Sequence, residues 1–206
     1  MMKLTSKQVV VALAVLLVAG AALFIGIPSS HAALNIPPRG TINPCAGFKT
    51  HPLRMNSGLI LDSVTDGGIV VEVGGHFQTT DGRHGADLII QTLRSSGQVD
   101  GLGFVEIGFD AERSGRSTIV ANQKGADYPA TQTMRFSPTV TIDGKAYHAI
   151  DGANLVNTAV TSTPPEIGTV YVLTNDVRLE SADKPGEVAM VIKASKAFTV
   201  TGHDFK

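Results

Sequence analysis

Tryptophan is missing from this 206-residue chain, cysteine occurs once, and charged side chains make up only 17% of the residues. A single cysteine excludes an intrachain disulfide framework, so stability must come from a buried core, which a chain of this length can form. Cys45 is then a partly buried thiol, an intermolecular disulfide or a reactive thiol. The net charge of −1, with no block of like charges, argues against nucleic acid or an anionic membrane surface as a partner.

The chain also lacks the local patterns of common catalytic and cofactor sites. No Gly-x-Ser-x-Gly elbow is present, and the glycine pair Gly101 and Gly103 is not followed by the helix that a nucleotide-binding loop requires. The scarcity of flat aromatic side chains lowers the case for a sugar-binding surface. These absences predict no cofactor and favour a protein that is not an enzyme.

The N-terminal residues have the composition of an export signal. Lys3 and Lys7 precede an apolar run over residues 9–27, and small residues follow it before Ala33. Residues 1–32 are therefore predicted to be a signal peptide or an N-terminal membrane anchor helix, because the apolar run is just long enough to span a bilayer. The protein is expected to be secreted or held in the cell envelope, with membrane contact only through residues 9–27 if the leader is retained.

Residues 33–57 are rich in proline and glycine. Proline lacks a backbone donor, so this segment is predicted to be an extended arm rather than a sheet strand. Residues 58–206 are predicted to form a single domain, since no internal repeat or linker divides them.

Short strands separated by turn residues dominate this domain. Ile69, Val71 and Val73 alternate with polar residues and would share one face of a strand. A two-residue turn at Asp66–Gly67 or, preferably, a three-residue loop through Gly68 would pair this strand with residues 59–64, because the longer loop buries leucines rather than an aspartate. Residues 87–96 fit a strand or a short helix, and the neighbouring strands favour a strand.

Asp143–Gly144 is the strongest hairpin signal, and it predicts that Ile142 pairs with Lys145 and Val140 with Tyr147. About ten short strands of this kind predict an all-β fold, namely an antiparallel β-sandwich or a jelly-roll-like domain.

Two groups of residues are candidates for chemistry. His76, Asp81, His84 and Asp87 fall close together around a turn and could converge on a metal ion, although their spacing matches no established site. Glu106 and Asp110 share one side of a strand and could form a pair of hydrolytic carboxyl groups. Each group also fits an ordinary polar loop or a solvated turn.

Three functions remain open from the sequence. The first is a non-enzymatic exported β-sandwich that binds a protein or cell-surface component; the oligomeric state is open. The second is a secreted hydrolase that uses the carboxylates or the histidine loop. The third is a carrier of a small lipophilic ligand, suggested by strands such as residues 102–109 that are apolar on both faces. A sheet closed around an open cavity would favour the carrier, and a filled sandwich would favour the binding module.

Overall fold

The computed structural model describes residues 35–50, 53–54, 60–61, 66–99, 102–194 and 197–203, which all lie within one compact unit. Every regular element in these ranges is a β-strand. Within them, no helix has the length and apolar character that a membrane span requires. The predicted leader, residues 1–32, lies outside the described residues, and its export role stays a prediction.

The strands vary from two to sixteen residues in length. In chain order they are β1 (Ile42–Thr50), β2 (Leu53–Arg54), β3 (Ile60–Leu61), β4 (Asp66–Gln78), β5 (His84–Val99), β6 (Gly103–Asp110), β7 (Ser117–Ala121), β8 (Ala130–Ile142), β9 (Lys145–Ala149), β10 (Ala153–Val160), β11 (Val170–Leu173), β12 (Val177–Ser181), β13 (Lys184–Ile192) and β14 (Ala197–Gly202).

Twelve of these strands form one antiparallel sheet, and part of that sheet closes on itself. Starting from β8, the pairings run through β10, β11, β14, β1, β4 and β5, and they return to β8 through β6 and β7. We call this closed set of strands the ring. Every second side chain of these strands points to the inner face of the ring, and these inward side chains form a single core.

Strands β6 and β7 both lie between β5 and β8, and they pair with different lengths of these two strands. Between β5 and β8, β7 pairs with the beginning of β8 and β6 with its end. Along its other edge, the long strand β8 pairs first with β10 and then, towards its end, with β9. From β9 the sheet continues outward to β12 and β13, so a three-strand extension leaves the ring at β8.

The core lies on the inner face of the ring. Ile69, Val71 and Val73 of β4 are at most 5% exposed, as their alternation predicts. They pack with apolar side chains from the strands around them, including Leu88, Met134, Leu155 and Val200. The prediction of a common apolar face on β4 is therefore confirmed.

The all-β, antiparallel class predicted from sequence is confirmed, and the sandwich is not. The prediction assumed two facing sheets, whereas the pairings join the strands into one sheet that closes. Closure depends on contacts between distant strands, such as β1 with β14, which local patterns do not specify.

The proline-rich segment contains a strand that the sequence analysis did not predict. β1 contains Pro44, but it pairs with β4 from Ile42 and with β14 only from Ala46. Pro44 thus lies where β1 has a partner on one side only, which is the position in a sheet that tolerates proline.

The predicted hairpin between residues 59–64 and β4 is wrong. Ile60–Leu61 pairs with Leu53–Arg54, and β4 pairs with β1 and β5 instead. Gly67 is not a turn residue: a Cβ atom there would lie 2.6 Å from the Cα of Ser95, so glycine permits close approach of β4 and β5.

Two other local predictions are confirmed. Residues 87–96 lie within the strand β5. The Asp143–Gly144 turn pairs Ile142 with Lys145 and Val140 with Tyr147, and both turn residues have the positive φ angles that such a two-residue loop requires.

Candidate functional site

The interior of the ring contains an apolar cavity of about 70 Å³, here called the inner cavity. Its wall is made of apolar atoms contributed by strands on all sides of the ring, among them Ile69, Leu93, Ile107, Phe136, Leu155 and Phe198. A dry, apolar cavity favours hydrocarbon over water, because water needs polar partners to remain in such a space. The inner cavity can therefore hold an apolar group.

The volume limits what can fit. An engineered cavity of about 150 Å³ binds benzene, so roughly half that space suits a shorter or thinner apolar group. Ligand pockets usually add a few polar groups that orient the ligand. Two polar groups fit that description here. Ser95 lines the inner cavity, and its buried hydroxyl makes no hydrogen bond to the described residues. Beyond Ile69, the hydroxyl of the buried Tyr171 donates to Oε1 of Gln132 at 2.8 Å.

One end of the ring is closed by the N-terminal segment before β1. Ile36 is 4% exposed and belongs to the core. Its backbone N–H donates to Oδ2 of Asp127 at 3.0 Å, and the backbone of Gly40 and Thr41 bonds to that of Val73. This segment covers the end where the β4–β5 and β7–β8 connections lie.

Two of the predicted metal ligands meet at this closed end. Nδ1 of His76 lies 2.8 Å from Nε2 of His84, and the two rings stack with their centroids 5.0 Å apart. Nε2 of His76 lies 3.0 Å from the carbonyl oxygen of Pro37, and Nδ1 of His84 lies 2.6 Å from Oδ1 of Asp127. The histidines thus link β4 and β5 to two separate connecting segments.

These contacts indicate which ring nitrogens donate outward. A carbonyl oxygen and a carboxylate can only accept, so His76 and His84 each donate outward. The contact between the rings is then a hydrogen bond only when one ring carries a second proton. Each histidine thus fastens its strand to an acceptor on a connecting segment.

The neighbouring Tyr128 also responds to this environment. Its hydroxyl donates to Oγ1 of Thr163 at 2.6 Å. Burial raises the pKa of Tyr128, the hydrogen bond to Thr163 opposes that rise, and the charge of Asp127 adds to it. The phenol is therefore held in its neutral form.

The other two predicted metal ligands bind arginines. Oδ2 of Asp81 accepts from Nε of Arg83 at 2.7 Å, and hydrogen bonds from Thr79 and Arg83 lower the pKa of Asp81. Oδ1 of Asp87 accepts from Nε of Arg116 at 2.6 Å. Among the described residues, no three histidine, cysteine or acidic side chains are placed to hold a metal ion. The four candidates do not form one cluster.

The predicted carboxylate pair is likewise separated. Four residues along a strand place the Cα atoms of Glu106 and Asp110 about 13 Å apart. The two carboxyl groups of a hydrolytic pair lie roughly 5–9.5 Å apart. Glu106 is exposed, and Oδ1 of Asp110 accepts from the backbone N–H groups of Glu112 and Arg113. Asp110 caps the turn that follows β6.

The outer surface carries a larger depression above β5. A groove of about 460 Å³, the outer groove, is lined by Ile89, Ile90, Phe109, Arg116 and Arg135 among others. A second depression of about 250 Å³ shares Phe109 with it and extends to Leu93 and Arg94. Both lie where β6 and β7 leave a gap beside β5.

Sequence reasoning missed Asp127 and the outer groove, and it raised an interior cavity only as the third of three alternatives. Asp127 is 43 positions from its partner His84, and no local pattern connects them. The cavity arises from ring closure. The one sequence signal for it is the apolar character of both faces of residues 102–109.

Comparison with known proteins identifies the fold. No family model and no curated protein matches the chain. Among solved structures, DynF from the dynemicin biosynthesis pathway of Micromonospora chersina matches with a TM-score of 0.63 and 16% sequence identity, over 87% of this chain and 93% of that chain. At this identity the likeness shows a shared fold.

The prediction that the chain is an exported structural or binding module is therefore wrong. That prediction required a filled sandwich, and the strands instead close around a cavity, in the fold of a protein from a biosynthetic pathway.

Proposed function

We propose that this protein binds a small lipophilic ligand, or the apolar end of a longer one, in the inner cavity. The observation that carries the proposal is a cavity of about 70 Å³ inside a closed sheet with an apolar wall. Burying apolar surface in such a space is favourable at about 25 cal/mol per Å². The shared fold with a biosynthetic protein supports a small-molecule role.

The proposal predicts saturable binding of short alkanes. Titration with ethane, followed by NMR of the Leu155 and Leu173 methyl groups, should shift signals from residues that line the cavity. Replacing Ala153, which is 3% exposed and lines the cavity, by leucine should fill the space and weaken binding by about tenfold or more.

Ala159→Leu is the matched control, because Ala159 lies on the same strand, β10, and is exposed. If Ala153→Leu does not fold, Ile107→Phe at a half-buried lining position replaces it. Ethane that binds wild type and both cavity variants equally, or does not bind wild type, would contradict the proposal.

A further inference from the structure

The ring wall has a break in its hydrogen-bond ladder beside the inner cavity. On the side of β5 that faces β6 and β7, residues 85–88 pair with β7 and residues 95–99 pair with β6. Among the described strands, residues 89–94 of β5 have no ladder partner on that side. We call this unpaired length the slit.

The slit lies between the outer groove and the inner cavity. Leu93 lines both the inner cavity and the depression outside it. Phe109 lines the two outer depressions, and Ile90 lines the outer groove. All three side chains are partly buried and pack against the core. At this place the wall is therefore made of side chains, without backbone hydrogen bonds between neighbouring strands.

The end of the ring next to β1 is fastened more firmly. Ile36 and the His76–His84–Asp127 contacts hold this end. In the three-strand extension, Asp176 accepts from Lys193 Nζ at 2.7 Å and from the backbone N–H of Ala194 at 2.8 Å, beside the cavity residue Ile192.

We propose that the ligand enters and leaves the inner cavity through the slit, with Phe109 as its gate. This inference rests on the proposed function. Passage there needs only rotation of side chains, which is fast, whereas passage between paired strands must break ladder bonds and passage past Ile36 must unfasten the closed end. The outer groove then provides a surface on which a ligand longer than the cavity can lie.

A gate changes rates without changing affinity. Phe109→Ala should raise the association and dissociation rates of ethane by the same factor, about tenfold or more, while its dissociation constant changes little. Phe109→Trp should slow both rates. Exchange between free and bound protein can be measured by NMR on the same methyl groups as the equilibrium titration.

Phe104→Ala is the matched control, because Phe104 lies on the same strand and is 47% exposed. Ile36→Ala loosens the closed end. Faster exchange in Phe109→Ala alone would support the slit. Unchanged rates in Phe109→Ala, or acceleration by Ile36→Ala instead, would overturn this inference and leave the proposed function intact. Absence of ethane binding to wild type would overturn both.

Discussion

Nδ1 of His84 lies 2.6 Å from Oδ1 of Asp127, and the other carboxylate oxygen of Asp127 accepts the backbone N–H of Ile36. One carboxylate thus connects the β4–β5 hairpin to the segment that closes the ring. Because the Asp127 side chain is only 17% exposed, these hydrogen bonds form away from most of the solvent.

The first prediction concerns this carboxylate. Asp127→Asn keeps the shape of the side chain but removes its charge, so hydrogen bonds to His84 and Ile36 weaken. We expect the free energy of unfolding to fall by about 1–3 kcal/mol, measured by urea denaturation. Asp183→Asn, on the exposed turn before β13, should change it little. Equal effects of the two substitutions would contradict a special role for Asp127.

The second prediction compares two glycines on neighbouring strands. A Cβ atom at Gly85 would lie 2.7 Å from Cζ of Phe77 and 3.0 Å from the carbonyl oxygen of Ile119. Since that backbone oxygen cannot move aside freely, Gly85→Ala should destabilise the protein by about 1–3 kcal/mol.

Gly75→Ala is the matched control. The nearest atom to a Cβ there is Oδ2 of Asp87 at 3.9 Å, so the extra methyl group fits. This change should be neutral or stabilising by about 0.4–1 kcal/mol, because alanine restricts the unfolded chain. The order of the two melting temperatures tests the prediction, and the reverse order would refute it.

The third prediction concerns pH. Arg178 donates from Nε to Oδ2 of Asp151 at 2.6 Å and from an Nη atom to Oδ1 at 2.8 Å. This hydrogen bonding holds the pKa of Asp151 below its ordinary value of 3.8. Because the folded pKa is the lower one, the pair stabilises the protein above about pH 3.8, and this contribution is lost as pH falls through the folded pKa.

Melting temperatures of wild type and Asp151→Asn should therefore differ at about pH 6 and converge towards about pH 2. Both groups are substantially exposed, so the difference should be small. A difference that persists unchanged at low pH would show that the carboxylate charge is not its cause.

Features of this fold that depend on neighbouring residues can be predicted from the sequence, whereas those that depend on distant segments cannot. The alternation of Ile69, Val71 and Val73 and the Asp143–Gly144 turn are determined by residues close in sequence, and both were predicted correctly. The choice of β1 and β5 as the partners of β4 is determined by packing between distant segments, so the first hairpin was predicted wrongly.

The same distinction applies to the candidate site. The two histidines lie near one turn in the sequence, which predicts their proximity, and they do meet. Their acceptors, Pro37 and Asp127, come from segments 39 and 43 residues away, so the sequence could not indicate that protein groups occupy all four ring nitrogens. The inner cavity and the slit depend on strand lengths and on ring closure, which no single segment encodes.

The three-strand extension has a consequence for how molecules of this protein meet. β13 pairs with β12 alone among the described strands, which leaves a row of backbone donors and acceptors facing outward. This edge strand begins with Lys184 and Pro185, which are both exposed. The charge of Lys184 resists burial, and Pro185 has no amide hydrogen to donate. Such residues discourage a foreign strand from joining a sheet, so fibril-like stacking of neighbouring molecules is opposed at the place where it would otherwise begin.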